Sequence, residues 1–115
     1  MAGKPSHSTP HSDCAPRVAA GLSPLIHDRI RLAILTALAT SPELSFNELK
    51  ELTDTTDGNL LTHVRRLEEG GLVNVTKTGA GRGGRTTCRL AEAGRLALET
   101  YLKDMERLLL RVQHK

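Results

Sequence analysis

Apolar positions along the chain fall into periodic stretches separated by polar or glycine-rich breaks. From Ser23-Pro24 onward, Ile26, Ile30, Ala33, Ile34, Ala37 and Leu38 recur at helical spacing and define one face, with Asp28, Arg29 and Arg31 elsewhere. Ser23 suits a helix cap and Pro24 the first helical position, where a missing N–H costs nothing. The helix predicted there ends near Thr40, because Pro42 pushes Ser41 out of helical dihedrals. Ser45-Phe46-Asn47-Glu48 has the spacing of a capping box and predicts a short helix to about Leu52. A third helix, capped by Thr55, Thr56 or Asp57, carries Leu60, Val64 and Leu67 at i, i+4, i+7 and stops at Gly70-Gly71. Two short capped helices joined by a tight polar turn predict a helix-turn-helix.

After Gly71 the period becomes two, with Val73, Val75 and Lys77 alternating with Leu72, Asn74 and Thr76. A glycine-rich turn follows over 78–84, and Arg85 to Leu90 reads as the returning strand, which gives a β-hairpin with a basic tip. From Ala91 a long helix begins, in which Leu98, Leu102, Met105, Leu109 and Val112 are spaced 4, 3, 4, 3, a seam of coiled-coil type broadened by Tyr101 and Leu108. The fold class is therefore mainly α with a small β-hairpin. Residues 1–22 hold three of the five prolines and no apolar periodicity until Val18, which predicts a flexible tail before a domain spanning 23–115.

Composition narrows the function classes. A chain of 115 residues suits one domain, and with 2% aromatic residues its core must be built from Leu, Ile, Val and Ala, without the rings that base-stacking surfaces need. No apolar run approaches the ~18 residues of a membrane span, and no signal peptide is evident, so a soluble, cytoplasmic protein is expected. The net charge is only +3, but it is unevenly spread. Residues 41–57 carry five carboxylates against Lys50, a net of −4, whereas residues 58–89 carry six basic groups against Glu68 and Glu69, a net of +4. Eleven of the sixteen basic residues are Arg, whose planar fork suits phosphates and guanine edges. A concentrated positive region of this kind is an electrostatic footprint of nucleic-acid binding.

The order of elements, together with NLLTHVRRLEEGGLV and RTTCRLAEAGR at this spacing, resembles the winged helix-turn-helix transcriptional regulators of the MarR and ArsR type over roughly residues 24–103. The resemblance implies a recognition helix at about 56–69, a wing at about 72–90 and a C-terminal dimerisation helix at about 91–113. A helix fits the DNA major groove, so the third helix can enter it while the second braces the pair. Burying Leu60, Val64 and Leu67 leaves Asn59, Thr62, His63 and Arg66 on other faces, with Thr56 and Asp57 at the N-terminal end. With Arg65 these are the candidate base and phosphate contacts, and Lys77, Arg82 and Arg85 are the candidate wing contacts. Leu61 stands where the family usually has a small polar residue, a position from which it can meet a thymine methyl or pack under the hairpin. Leu98, Leu102, Met105, Leu109 and Val112 are the candidate dimer contacts, extended by Leu22 and Ile26. The expected partners are double-stranded DNA and a second copy of the chain, the pair reading an inverted repeat as a repressor.

Other readings have weaker motifs. His7, His11 and Cys14 have metal-ligand chemistry, but a tetrahedral site would need a fourth ligand, so no metal and no cofactor is expected. Cys88 on a wing strand could act as a redox switch, although a small residue packed under the hairpin is the simpler reading. No sequence motif of a hydrolase, P-loop or metalloprotease is present, so the chain is not expected to be an enzyme. A winged helix used for protein interaction is the alternative, and the arginine-rich segment argues against it.

Overall fold

The computed structural model describes residues 21–79 and 84–113. Among them run α1 (Arg29–Thr40), β1 (Leu44–Ser45), α2 (Phe46–Thr53), α3 (Asp57–Glu69), β2 (Val73–Thr78), β3 (Arg85–Leu90) and α4 (Glu92–Gln113). Four helices and a small antiparallel sheet form a helix-turn-helix followed by a two-stranded wing, as the sequence predicts. Most of the tail predicted over 1–22 lies outside the described residues.

The first helix begins later than its periodicity suggests. Ser23 does cap a turn, its hydroxyl accepting from the Ile26 N–H at 3.3 Å, but that turn closes on itself at His27. Asp28 then caps α1 proper, its carboxylate accepting from the N–H groups of Ile30 and Arg31 at 2.9 and 3.0 Å. Burial alone would raise the Asp28 carboxyl, but the Arg31 and Ile30 N–H groups and the charges of Arg31 and His63 outweigh it and hold the group below the usual carboxylate range. Leu22 and Ile26, expected near a dimer interface, are buried in the chain's own core, because the pre-helix turn folds back onto α1 and α3.

The two following helices start as their caps dictate. Ser45 Oγ accepts from Glu48 N–H at 3.1 Å while the Ser45 N–H donates to the Glu48 carboxylate at 2.8 Å, a complete capping box. Thr56 caps α3 through Asn59 N–H. Of the glycine pair ending α3, Gly71 takes the left-handed conformation (φ 79°), whereas a Cβ at Gly70 would meet the end of the Leu25 side chain, which would have to shift.

β3 is the centre of the sheet, paired antiparallel with β2 from Val73↔Leu90 to Thr78↔Arg85 and with β1 through Leu44↔Cys88 and Ser45↔Thr87. β1 is absent from the sequence-based reading: a strand of two residues has no periodicity of its own and exists only through its pairing. Burial along β2 fades from Val73 to Thr78 as the hairpin leaves the body. The core lies beneath, where Ile26, Ile34, Leu35, Leu49, Leu60, Leu67 and Cys88 are fully buried.

α4 joins this body at its N-terminal half. Ala91 N–H donates to the Leu72 carbonyl, and a Cβ at Gly94 would overlap that same carbonyl. One turn further, Leu98 and Tyr101 are buried, and Tyr101 Oη meets His27 Nδ1 at 2.8 Å. Leu98, expected at a dimer contact, packs within its own chain because α4 crosses α1 there.

Two outcomes follow for stability. Gly94→Ala is expected to lower unfolding free energy by about 2 to 3 kcal/mol, the scale of overpacking, seen as an earlier urea midpoint with unchanged slope. Asp28→Ala should cost about 1 kcal/mol at pH 7 through the lost cap. Because the folded-state pKa of Asp28 is depressed, its charge stabilises the fold above the unfolded carboxylate pKa and ceases to as pH falls through the folded value. The gap between wild type and Asp28→Ala should therefore narrow between urea titrations at pH 7 and pH 3.

Candidate nucleic-acid interface

Rotation of α3 is set from inside. Leu60, Val64 and Leu67 are at most 3% exposed, which turns Gly58, Thr62, Arg65, Arg66 and Glu69 outward on the opposite side of the helix. Arg65 and Arg66 make no ion pair among the described residues. Lys77 lines one concavity with Arg65 between α3 and the wing, whereas Arg85, paired with Thr78 and so on the other face of the hairpin, is exposed beside the start of α2. Arg82 lies outside the described residues.

The remaining candidates on α3 are engaged with neighbours. Thr56 uses its hydroxyl as the helix cap, and Asp57 pairs with Lys50 Nζ at 2.9 Å. Asn59 donates its side-chain amide to Thr55 Oγ1 at 2.7 Å, and Thr62 donates its hydroxyl to the Gly58 carbonyl at 3.0 Å, leaving lone pairs free to accept. His63 is turned inward. Its Nδ1 lies 2.9 Å from Arg31 Nη1 and 3.8 Å from Asp28 Oδ1. A guanidinium only donates, so this contact is a hydrogen bond when His63 Nδ1 is the acceptor.

Arg31 is the residue that sequence reasoning misplaced. Its position between Ile30 and Leu32 put it off the apolar face, yet it is 8% exposed. Each nitrogen of the guanidinium makes a hydrogen bond: Nε donates to the Leu25 carbonyl, Nη2 to the Pro24 carbonyl at 3.3 Å, and Nη1 to His63. A buried charge is tolerated when hydrogen-bonded, and here the bonds tie the turn before α1 to the middle of α3. The only sequence signal was the placing of Asp28, Arg31 and His63 at cap and flank positions, whose convergence depends on tertiary structure.

Two concavities border the wing. One, of about 290 Å³, lies between α3 and the wing and is lined by Phe46, Leu61, Val64, Arg65, Val75 and Lys77, among others. Leu61 therefore points toward the hairpin, with 41% of its surface exposed. The other, of about 520 Å³, opens between the start of α2 and the wing and is lined by Ser45, Phe46, Asn47, Gly84, Arg85 and Thr86. The Ser45 N–H, then the Ser45 hydroxyl and the Arg85 charge, hold Glu48 below the usual carboxylate range beside it.

Cys88 is fully buried in β3, and burial, with the Glu68 charge adding, pushes its thiol up to about 11. A thiol that stays protonated is a poor nucleophile, which fits packing under the hairpin rather than redox chemistry. Among the described residues no group of three metal-ligating side chains converges, and His7, His11 and Cys14 lie outside them. No described helix is long and apolar enough to cross a membrane.

Comparison with known proteins places this geometry. The model of the winged helix DNA-binding domain matches residues 30–109. A protein of Methanocaldococcus jannaschii without assigned function is 34% identical over 79 residues, which span 69% of this chain and 86% of that relative. Among solved structures, a transcriptional regulator homologue from Pyrococcus horikoshii superposes with a TM-score of 0.76 at 26% identity, covering 84% of this chain and 97% of that one. A MarR-family regulator from Enterococcus faecalis superposes with a TM-score of 0.68 at 18% identity, covering 93% and 96% of the two chains. The helix-turn-helix, the basic wing and the family match agree: the chain belongs to the winged helix DNA-binding family, shares the fold of MarR-type transcriptional regulators, and is a DNA-binding protein rather than an enzyme.

Proposed function

We propose that the chain is a homodimeric repressor of transcription that reads a short inverted repeat in double-stranded DNA in the cytoplasm. The observation that carries the reading is the concavity shared by α3 and the wing, where Arg65 and Lys77 stand exposed together, with Arg66 also exposed on a helix that has the dimensions of a major-groove reader. In this reading Arg66 and Thr62 reach base edges, and Arg65 and Lys77 meet phosphates. Arg85 and Arg82 follow the backbone from the wing. Thr56, Asp57, Asn59 and His63 shape and orient the helix, consistent with the bonds they make to Lys50, Thr55 and Arg31.

The second half of α4 supports pairing. Leu102, Leu109 and Val112 are 46%, 55% and 73% exposed, and with half-buried Met105 and Leu108 they line an apolar groove of about 430 Å³. An exposed strip at coiled-coil spacing is a liability for a lone chain and a contact surface for two. A twofold pair presents both recognition helices to half-sites about one helical turn, ~34 Å, apart.

Fluorescence anisotropy with the protein's own upstream DNA and scrambled DNA of equal length, across a salt series, tests the reading. Preference for the upstream DNA at physiological salt, saturating at two chains per site, is the expected result. Weak binding, equal on both DNAs and lost at moderate salt, would overturn it and leave protein interaction as the role. Arg66→Ala is expected to cost ~1 to 3 kcal/mol and relax sequence preference, whereas Arg85→Ala should weaken both DNAs and flatten the salt slope by about one unit.

The double variant Leu109→Glu, Val112→Glu should sediment as a monomer with the circular dichroism of the wild type. Its affinity for the upstream DNA should fall roughly 100-fold through lost avidity.

A further inference from the structure

Glycine weakens a helix wherever it stands, so each helical glycine calls for a reason. Gly94 has one inside the molecule, the Leu72 carbonyl that occupies the place of its Cβ. Gly58, in the first turn of α3, has none: its φ is not positive, it is exposed, and a Cβ built there meets nothing within 4 Å. The chain's own fold would accept any good helix former at this position.

Gly58 also stands at the head of the outward strip. Thr62 lies one turn on, its hydroxyl bonded to the Gly58 carbonyl, and Arg65 follows on the same side. On either flank the neighbouring side chains are drawn away, Asp57 to Lys50 at 2.9 Å and Asn59 to Thr55 at 2.7 Å. Bare backbone is thus exposed where the strip begins, followed by a short hydroxyl and then a long cation.

We propose that Gly58 is a specificity-determining residue, whose missing side chain lets the base edges of the duplex come against the α3 backbone and so sets the depth at which Thr62 and Arg66 reach the bases. The proposal rests on the DNA-reading function above. At this depth a methyl group occupies space that the duplex needs, so it costs affinity at the correct sequence. Phosphate contacts from the wing do not depend on that depth and are retained on any sequence.

Gly58→Ala and Gly58→Gln, compared with wild type for melting temperature and for affinity to upstream and scrambled DNA, test this. Both variants are expected to melt a few degrees higher, as better helix formers, while affinity for the upstream DNA falls roughly tenfold for Ala and further for Gln. Affinity for scrambled DNA should change by less than about twofold, so the specificity ratio drops while stability rises. Undiminished affinity in Gly58→Gln overturns the proposal, and so does a lower melting temperature, which would show that the glycine serves the fold. If wild type itself does not prefer the upstream DNA, the DNA-reading function fails and takes the proposal with it. If wild type does and the variants match it, only the proposal falls.

Discussion

Burial of one face of α3 is the constraint on which the rest of the molecule depends. Leu60, Val64 and Leu67 each contribute about 2 kcal/mol when removed from water, and the core beneath α1 and the sheet receives them. Once they are seated, helical geometry leaves no freedom in what the opposite side displays: Gly58, Thr62, Arg65 and Arg66 face outward. The hairpin then follows in register, since Leu72 N–H bonds to the Leu67 carbonyl and fixes where β2 departs from the helix. Arg65 of the helix and Lys77 of the wing therefore line one concavity because of packing at Leu67 and Leu72, not because their charges attract one another.

A second restraint acts on α3 from its flank. Packing of the apolar face sets the rotation of α3, and a hydrogen bond adds a directional restraint to it. Arg31 supplies direction: anchored on the Pro24 and Leu25 carbonyls, it presents one nitrogen to His63 in the middle of α3. Asp28, which caps α1, lies beside both groups, so the start of one helix and the orientation of another share a single polar cluster. His27 continues this connection to Tyr101, which places the turn before α1 between the DNA-facing helix and the long C-terminal helix.

Much of this was legible in the sequence, for reasons that differ by element. The capping box at Ser45 and Glu48 and the cap at Thr56 are local chemistry, complete within four residues, so spacing alone identifies them. The wing register follows from alternation and the long helix from its heptad spacing. What escaped was whatever depends on distant partners. The start of α1 was decided by Asp28, which bonds two N–H groups where Ser23 bonds one. β1 exists only against β3, and the burial of Arg31 requires His63, thirty-two residues away. In the candidate interface the outward positions were readable from periodicity, but which side chains are free was not. Asp57, Asn59 and His63 share the helix with Arg65 and Arg66, and only the folded chain shows that the first three are already bonded.

Separating what the chain's own stability explains from what it does not locates function without reference to any relative. Gly94 is explained by its contacts, Cys88 by burial and Arg31 by its hydrogen bonds. Three features find no such explanation: a glycine in open space at the start of α3, guanidiniums without acid partners beside it, and an apolar strip left in water on the far half of α4. Each works against the isolated chain, through helix propensity, like-charge repulsion and exposed apolar surface respectively. The first two lie together on α3, while the third lies apart on the far half of α4. Stability of the isolated chain therefore accounts for none of the three.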